Sequence, residues 1–506
     1  MRYRGPGILW RSRWALSLAA GLALMVEMSL MAPAVATPAS VPRFEPAPCP
    51  DFPVSELARA RCGYLFVREN RARPTGRTLR LIVAILPAAS PRPGTEPVVH
   101  LASGPGGIGI GEIPFLVGSG LNRHHDLIVM NQRGTFLSKP ALTCESADAF
   151  DRRLIGLRFY SESTKRIHLA ATRRCRHEVL AKGVDLSAYN SRENAADFAD
   201  LRRVLGYNRY NVFSLSYGTY LAQTLMRDHP EGIRSVILDS TVPIRTVTLP
   251  RFWDTLREGF DNLFEACAAQ PDCREKAPHL EATFTRLVRK FEASPRTVVV
   301  ANPRGKATKV VLDGGALIDW LRKKTFNTPL LQQVPEQIRE LAAGRLESVA
   351  KDRAAATVVT EPVIGYGLSF GAVCSDYNAF GRDEPVGRRA FPAFPASIQR
   401  QLVGSFAYVI EDCAQVWRVP SGSNRPPRAD IPTLLVSGTF DSVTSVRWSK
   451  LAAQDLRNAT VIQILGVGHG VTPRSQCAQE VVASFLAHPN APDTSCVPKQ
   501  TMPPFA

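Results

Sequence analysis

An alternation of strand and helix signals around residues 214–218, which read SLSYG, constrains this chain more than any other feature of its sequence. Apolar residues recur at helical spacing over 192–205. A buried strand over 211–215, a helix that begins near Tyr217 and a second buried strand over 235–238 follow. Strands that alternate with helices in this way are typical of a parallel sheet covered by helices.

Ser216 occupies the turn between the predicted strand and the predicted helix. A nucleophilic serine must be lifted out of its sheet on a tight, strained turn, and small residues two places before and after it let strand and helix approach. Gly218 meets this requirement, and Ser214 is also small, although glycine is more usual there. The alternative is an ordinary strand-to-helix turn with an N-capping serine. The segment alone leaves both interpretations open.

A serine nucleophile also needs a base and a group that orients the base. The predicted strand over 433–436 leads into a turn that carries Asp441, and the predicted strand over 461–465 ends in a glycine-rich loop that carries His469. Both side chains therefore follow a strand, as Ser216 does. The sequence predicts that these three residues converge as a catalytic triad in the chain order Ser, Asp, His.

A loop rich in glycine and proline over 102–107, which reads ASGPGG, follows another buried strand. A loop at this position can turn a backbone N–H toward the nucleophile. Together with the amide of Tyr217, such an N–H can hold the negative oxygen of a tetrahedral intermediate. We therefore expect an oxyanion hole between this loop and the helix that follows Ser216.

The chain of 506 residues is long enough for one large α/β domain that carries an insertion. Short strands are predicted first, over 64–68, 79–86, 98–101 and 126–130. After Pro243 the pattern turns helical and irregular, and strands resume only after a Pro-rich hinge at 424–427. We predict a core part over 37–243, a large, mainly helical cap insertion over 244–424 and a second core part over 425–506.

The first 36 residues have the features of an export signal. Four arginines lie near the N-terminus, a mostly apolar run spans 14–26, and the sequence AVA at 34–36 has the small-x-small form that signal peptidase accepts. A spanning helix needs about 20 apolar residues, so a permanent anchor is the weaker alternative. We predict cleavage after Ala36, export to the periplasm or the medium, and no stable membrane anchor afterwards.

Lys and Arg outnumber Asp and Glu by 62 to 45, which gives a formal net charge of +17. The basic residues are scattered, without a run of five or more and without the aromatic interleaving typical of a nucleic-acid face. Apolar residues make up 45% of the chain and charged residues 21%, an ordinary globular balance. We interpret the charge as a solvated surface and expect no nucleic-acid partner.

All ten cysteines follow the predicted cleavage site, an even number for an oxidising compartment. Their order along the chain suggests five local disulfides, Cys49/Cys62, Cys144/Cys175, Cys267/Cys273, Cys374/Cys413 and Cys477/Cys496. A zinc site, the alternative, needs close CxxC or His/Cys clusters. No histidine lies within the tightest pair, Cys267 and Cys273. We therefore expect neither a metal nor another cofactor.

The sequence resembles the secreted tripeptidyl-aminopeptidase and prolyl-aminopeptidase branch of the α/β-hydrolases over nearly the whole mature chain. The segments that carry the resemblance are 104–107 (GPGG), 131–135 (NQRGT) with Ser138, 194–206, 216–219 (SYGT), 238–239 (LD), Asp441, His469 and the C-terminal stretch with Cys477 and Cys496. Three positions depart from the family pattern and bear on substrate and efficiency more than on reaction class: Ser103 and Ser214 stand for Gly, and Asn131 for Asp.

The resemblance implies an α/β-hydrolase fold, a mostly parallel sheet flanked by helices. It also implies roles for five residues. Ser216 would be the nucleophile, Asp441 and His469 its partners, and the amides of Gly104 and Tyr217 the oxyanion donors.

The sequence favours an exported serine hydrolase that removes residues from the N-terminus of peptides. A carboxylesterase with the same triad, acting on small esters, is the alternative within this fold, and a catalytically inactive binding module is the alternative from another class. An aminopeptidase must hold a free ammonium group, and a buried ammonium needs an acidic partner. We expect the cap insertion to supply it. Its acidic residues include Glu361, Asp376, Asp383 and Glu384, between which the sequence does not choose.

Overall fold

Nine strands form one mostly parallel sheet in the computed structural model of the chain, which describes residues 40–73, 75–245, 248–358, 364–377, 386–401 and 407–506. The predicted export signal, 1–36, lies outside these residues. The strands of this sheet and of a separate hairpin are, in chain order, β1 (Arg43–Pro46), β2 (Arg61–Arg68), β3 (Thr78–Leu86), β4 (Val98–Leu101), β5 (Leu127–Met130), β6 (Tyr210–Leu215), β7 (Ile233–Asp239), β8 (Arg296–Ala301), β9 (Ala307–Leu312), β10 (Thr433–Gly438) and β11 (Ala459–Ile464). β8 and β9 form a separate antiparallel hairpin.

The sheet has the strand order β1-β2-β3-β5-β4-β6-β7-β10-β11. β1 pairs antiparallel with β2, β2 with β3, and β3 with β5. All other neighbours pair parallel, from β5 through to β11. The carboxyl ends of β4, β6, β7, β10 and β11 therefore meet at one edge of the sheet, where ligands bind in open α/β sheets.

Apolar side chains cover both faces of the sheet, as the period of two along each strand requires. In β3, Leu81 and Val83 belong to the core cluster on one face, whereas Ile82 and Ala84 belong to the cluster on the other. All four residues of β4, which reads VVHL, are buried. Burial on both faces explains why the sequence shows continuous apolar runs at the central strands rather than alternation.

Helices flank the sheet in both core parts. Before the insertion they are α1 (Ile113–Gly118), α2 (Glu145–Leu154), α3 (Glu162–Leu180), α4 (Ser191–Val204) and α5 (Tyr217–Asp228). The helices between β7 and β10 are α6 (Thr248–Ala269), α7 (Pro271–Lys276), α8 (Leu280–Ala293), α9 (Gly314–Phe326), α10 (Val334–Ala342), α11 (Glu347–Ala355), α12 (Tyr366–Asp376), α13 (Val386–Ala390), α14 (Ala396–Gln399) and α15 (Val409–Glu411). The last two are α16 (Val446–Ala453) and α17 (Gln476–Ala487).

The segment between β7 and β10, which we call the cap, supplies most of a hydrophobic cluster that is separate from those covering the sheet and that also includes Phe159 and Phe440. Trp253 and Phe260 of α6 pack there with Phe284 of α8 and Trp320 of α9. The later helix α12 differs, because its buried apolar residues belong to the core cluster of the sheet. The end of the cap is thus packed directly on the sheet.

The mostly parallel sheet, its flanking helices and the mainly helical cap confirm the predicted α/β-hydrolase architecture. The predicted strands begin and end within three residues of the observed ones. Strand β1, the hairpin β8–β9 and helices α1 to α3, α7 and α11 to α16 were not predicted. The exact domain limits at 244 and 424 stay a prediction. No helix in the described ranges is long and apolar enough to cross a membrane.

Disulfides join the ten cysteines in the same five pairs that their order suggested, Cys49–Cys62, Cys144–Cys175, Cys267–Cys273, Cys374–Cys413 and Cys477–Cys496. Cys374–Cys413 ties α12 to the segment after α15, next to the sheet. Cys267–Cys273 links α6 to α7 within the cap. Five disulfides indicate an oxidising compartment.

The stability that each disulfide contributes should increase with the length of chain it closes. Cys374–Cys413 spans 39 residues and Cys267–Cys273 spans 6. By the chain-entropy model, replacing the first pair with alanines should lower the free energy of unfolding by about 4 kcal/mol, and replacing the second by about 2 kcal/mol. Urea unfolding of the two double variants measures this, with peptide mapping under non-reducing conditions as the check on pairing. Equal losses would contradict the entropic account.

Candidate active site

Ser216 lies between the last residue of β6 and the first residue of α5, in a backbone conformation that few residues with a Cβ adopt. Its φ is +56° and its ψ is −121°. Its N–H donates to the carbonyl of Asp239 at 3.0 Å, and its own carbonyl accepts from the N–H of Thr219 at 2.9 Å. These bonds hold the strained turn and leave Ser216 partly exposed at the carboxyl edge of the sheet.

The small residues on either side of Ser216 are needed for two different reasons. A Cβ on Gly218 would lie 2.1 Å from the carbonyl oxygen of Leu101, so α5 can start beside the end of β4 only with glycine there. Ser214 is fully buried, and its hydroxyl donates to the carbonyl of Ile237 at 2.7 Å. Serine therefore replaces glycine at 214 without leaving a buried polar group unpaired.

His469 and Asp441 form a buried pair beyond β11 and β10. Nδ1 of His469 lies 2.8 Å from Oδ2 of Asp441, and only 4% of the histidine is exposed. Oδ1 of Asp441 accepts from the N–H groups of Val443 and Thr444 at 2.9 and 2.8 Å, and the Thr444 hydroxyl donates to Oδ2 at 2.7 Å. The aspartate is thereby fixed on its turn and orients the imidazole ring.

The surroundings of Asp441 favour its charged form. Burial by itself would raise the pKa of the carboxyl group. The attraction and hydrogen bond from His469, with the donors of Thr444, outweigh burial and hold the pKa below its usual value. Asp441 therefore remains a carboxylate and can stabilise an imidazolium at His469.

Asp239, the last residue of β7, fastens the loop that carries His469. Its carboxylate accepts from the N–H groups of Val471 and Thr472 at 2.9 and 2.7 Å and from the Thr472 hydroxyl at 2.6 Å. The hydroxyl of the next residue, Ser240, accepts from the N–H of Gly470 at 2.9 Å. The backbone of Asp239 also holds Ser216, so one strand end fixes both the serine and the histidine loops.

Ser216 and His469 thus lie on loops that both bind Asp239, and Ser240 also binds the histidine loop. Their side chains make no direct hydrogen bond in the described structure. Catalytic hydrogen bonds are often long in the absence of substrate and shorten in the complex. In the structure, His469 contacts Asp441 directly. Ser216 lies at the same edge of the sheet, without a hydrogen bond between its hydroxyl and His469.

The cap also contacts His469 and its loop. The ring of Phe326, at the end of α9, stacks on the imidazole with 4.4 Å between the centroids. The carbonyl of Phe326 accepts from the N–H of His469 at 3.1 Å, and the Thr328 hydroxyl accepts from the N–H of Gly468 at 3.0 Å. The position of the candidate base therefore depends on the cap as well as on the sheet.

Gly104 lies in the loop after β4, close to the start of α5. Its φ is +127°, and a Cβ there would lie 2.7 Å from the backbone nitrogens of Gly106 and Gly107. Two residues before Gly104, Ala102 is held by Gln132, whose Nε2 donates to the Ala102 carbonyl at 3.0 Å. Because Gly218 lies against the end of β4, the amide of Tyr217 and the Gly104 loop are neighbours. That the amides of Gly104 and Tyr217 donate to an oxyanion stays a prediction.

A cavity of about 210 Å³ opens beside Gly104 and Pro105. Its apolar lining comes from α2, α3, α12 and α15, and includes Phe150, Ile364, Phe370, Val373 and Val409. Its charged and polar lining consists of Asp151, His168, Tyr366 and Asp412, with Thr172 and Ser369. The cavity is mainly apolar and carries two carboxylates, a combination that suits a cationic group attached to an apolar body.

The two carboxylates in this cavity differ in their partners. Oδ2 of Asp412 lies 2.6 Å from Nε2 of His168, while its Oδ1 is buried without a hydrogen-bond partner among the described residues. Asp151 accepts from the hydroxyl of Tyr366 at 3.1 Å. Burial raises the pKa of Asp151, against the lowering effect of the Tyr366 hydrogen bond. Both carboxylates can accept a further hydrogen bond from a ligand.

The acidic residues named from the sequence lie elsewhere or outside the described ranges. Asp376 is buried at the end of α12, where its carboxylate accepts from the N–H of Ser191 at 3.0 Å. Glu361, Asp383 and Glu384 fall on residues that the structure does not describe. Asp151 and Asp412 were not singled out, because nothing in the local sequence distinguishes them from other acids on helices. No three His, Cys, Asp or Glu side chains in the described part form a metal site.

The fold is that of the α/β-hydrolase superfamily, and the relatives reported below support a serine hydrolase. Residues 401–497 match the family model described as TAP-like protein, so the chain carries a TAP-like region at its C-terminal end.

Three characterised or named relatives resemble the chain. The putative hydrolase YuaR of Escherichia coli is 28% identical over 47% of this chain, and the alignment spans about half of that relative, 48%. The serine protease Hip1 of Mycobacterium tuberculosis is 24% identical, over 84% of this chain and 85% of that protein. The tripeptidyl aminopeptidase of Streptomyces coelicolor is 26% identical over 36% of this chain and 35% of its own length. The resemblance to the peptidase branch of the superfamily is thus supported by independent comparisons.

Replacing Asp239 should destabilise the protein through the loop that carries His469. Asp239→Ala leaves the buried N–H groups of Val471 and Thr472 without an acceptor, and each unpaired buried group costs about 1–3 kcal/mol. Asp239→Asn keeps the shape and one acceptor oxygen. We expect the alanine variant to lose at least about 2 kcal/mol of unfolding free energy and the asparagine variant less, as measured by urea unfolding. An alanine variant as stable as the native protein would refute this role.

Proposed function

We propose that this protein is an exported serine aminopeptidase in which Ser216, His469 and Asp441 form the catalytic triad. The observation that supports it most strongly is the buried Asp441–His469 pair, held at the edge of the sheet to which Ser216 is lifted on its strained turn. Five disulfides and the predicted signal over 1–36 support export to the periplasm or the medium.

The reaction would follow the acyl-enzyme course of serine hydrolases. His469 takes the proton of Ser216 as the hydroxyl attacks the substrate carbonyl, and Asp441 stabilises the imidazolium. The amides of Gly104 and Tyr217 hold the oxyanion of the tetrahedral intermediate. His469 then gives the proton to the leaving amine, and water, activated by the same histidine, hydrolyses the acyl-enzyme. These steps use no cofactor.

The cavity beside Gly104 favours a peptide with a free N-terminus over a simple ester. A substrate ammonium can donate to Asp151 and to the unpaired Oδ1 of Asp412, while its first side chain packs on the apolar wall. Without a carboxylate partner, a buried ammonium would lose several kcal/mol of solvation free energy. A carboxylesterase has no need of an ammonium site, and in such an enzyme these two carboxylates would serve only to bind His168 and Tyr366.

Ser216→Ala should abolish turnover and leave the fold intact. Removal of the nucleophile in a Ser-His-Asp site lowers kcat by about 10⁶-fold. The Ser216 hydroxyl makes no hydrogen bond within the described structure, so the free energy of unfolding should change by less than about 0.5 kcal/mol. Hydrolysis of a panel of fluorogenic peptides and p-nitrophenyl esters, together with urea unfolding, measures both effects. Full activity in the variant would exclude Ser216 as nucleophile, and joint loss of activity and fold would indicate a structural role.

The amine site predicts a strong preference for free N-termini. Acetylation of a good peptide substrate should lower kcat/KM by orders of magnitude, since the carboxylates would be left without their partner. Asp151→Asn and Asp412→Asn should raise KM for the free peptide and reduce the difference between free and acetylated forms. Glu145→Gln, an exposed charge on the same helix as Asp151, is the matched control and should behave like the native enzyme.

The pH dependence of KM offers a further check on the amine site. A carboxyl group binds an ammonium only when ionised, and the pKa of Asp151 is raised. KM for the free peptide should therefore increase as pH falls, and the increase should begin at a pH above the usual pKa of an aspartate. KM for a neutral ester should not show this increase. Equal rates on free and acetylated peptides, or turnover of esters alone, would favour the carboxylesterase.

A further inference from the structure

Glu112 connects the loop that carries Gly104 to the interior of the protein, and the proposed mechanism gives it no role. Its Oε1 accepts from the N–H of Ser103 at 3.2 Å and, in a short hydrogen bond, from the Ser103 hydroxyl. Its Oε2 lies 2.6 Å from Nε2 of His100. Ser103 directly precedes Gly104. One carboxylate thus joins the residue next to a candidate oxyanion donor to a side chain inside the sheet.

His100 is the buried side chain to which Glu112 is bound. It lies in β4, is completely buried and packs on Phe213 of β6 with 5.8 Å between the ring centroids. Its Nδ1 is buried and has no hydrogen-bond partner in the described residues. A proton on Nδ1 would be an unpaired buried donor, so the single ring proton belongs on Nε2 and is donated to Glu112. The carboxylate therefore accepts three hydrogen bonds.

The hydrogen bonds to Glu112 add to other contacts of the loop after β4: the N–H of Gly365 donates to the carbonyl of Gly106 at 2.8 Å, and that of Gly107 to the carbonyl of Ser103 at 3.3 Å. Gly104 and Gly106 have φ values of +127° and +91°, and glycines leave a backbone free to take other conformations. Gln132 fixes the carbonyl of Ala102, before the loop. The two hydrogen bonds to Glu112 hold Ser103, the residue before Gly104, through both its backbone N–H and its side chain.

We propose that Glu112 is a positioning residue that, through Ser103 and from the fixed point of His100, sets the direction of the Gly104 amide in the oxyanion hole. This gives a reason for serine at 103, where the family pattern has glycine: the hydroxyl supplies the second hydrogen bond to Glu112. The inference rests on the proposed serine hydrolase mechanism, and applies to ester and peptide substrates alike.

Two variants test the positioning role. Ser103→Ala removes one hydrogen bond without changing the size of the loop. Glu112→Gln removes the charge. Its amide has one acceptor oxygen, so it cannot accept all three hydrogen bonds that Ser103 and His100 donate to the carboxylate. Each should lower kcat by about 10- to 100-fold with KM changed less than about threefold, because an oxyanion donor acts in the transition state rather than on bound substrate. Ser348→Ala, which removes a Ser–Glu hydrogen bond inside the cap, is the matched control.

A second measurement separates positioning from a merely structural role. Phosphonylation of Ser216 by a fluorophosphonate also develops charge in the oxyanion hole, so its second-order rate constant should fall in parallel with kcat. Urea unfolding of Ser103→Ala should stay within about 1 kcal/mol of the native protein. If the native enzyme is active and Ser103→Ala has an unchanged kcat and phosphonylation rate, this inference is overturned while the proposed function stands. A native protein that hydrolyses neither peptides nor esters would overturn the proposed function, and this inference with it.

Discussion

The buried carboxylate of Asp239 is the contact on which the geometry of the candidate site depends. β7 lies between β6 and β10, so a residue at its end can reach both the serine turn and the histidine loop. Asp239 does this with its carbonyl on Ser216 and its carboxylate on Val471 and Thr472. Burial raises its pKa, against the opposing effect of these donors. Asp239 thus fixes the serine turn through its backbone and the histidine loop through its side chain.

The cap approaches this edge of the sheet in two places with different effects. At the end of α9, Phe326 stacks on His469 and binds its backbone, so the cap helps to orient the candidate base. At α12 and the segment after α15, it closes the cavity beside Gly104 and contributes Asp412. In the proposed function, α9 would therefore bear on catalysis, and α12 with the segment after α15 on substrate selection.

The departures from the family pattern have local physical reasons. Ser214 replaces glycine because the carbonyl of Ile237 on β7 accepts its hydroxyl, which leaves the buried position satisfied. Ser103 replaces glycine where Glu112 can accept from both its hydroxyl and its N–H. At 131, Asn uses both ends of its amide: Oδ1 accepts from the N–H of Ile110 and Nδ2 donates to the carbonyl of Phe136. An aspartate could not make the second bond.

The sequence by itself determined the fold class and the sheet strands other than β1, and it named the three candidate triad residues, because hydrophobic period and chain order identify strand ends, and parallel strands bring their carboxyl ends together. It did not identify Asp239 or Glu112 as anchors, or Asp151 and Asp412 as the acids of the cavity. Their roles depend on which donors face them across the sheet and the cap, and Asp151 and Asp412 are far apart in the chain. Only tertiary packing decides those contacts, since a side chain's partners follow from its direction in space rather than from its neighbours in sequence.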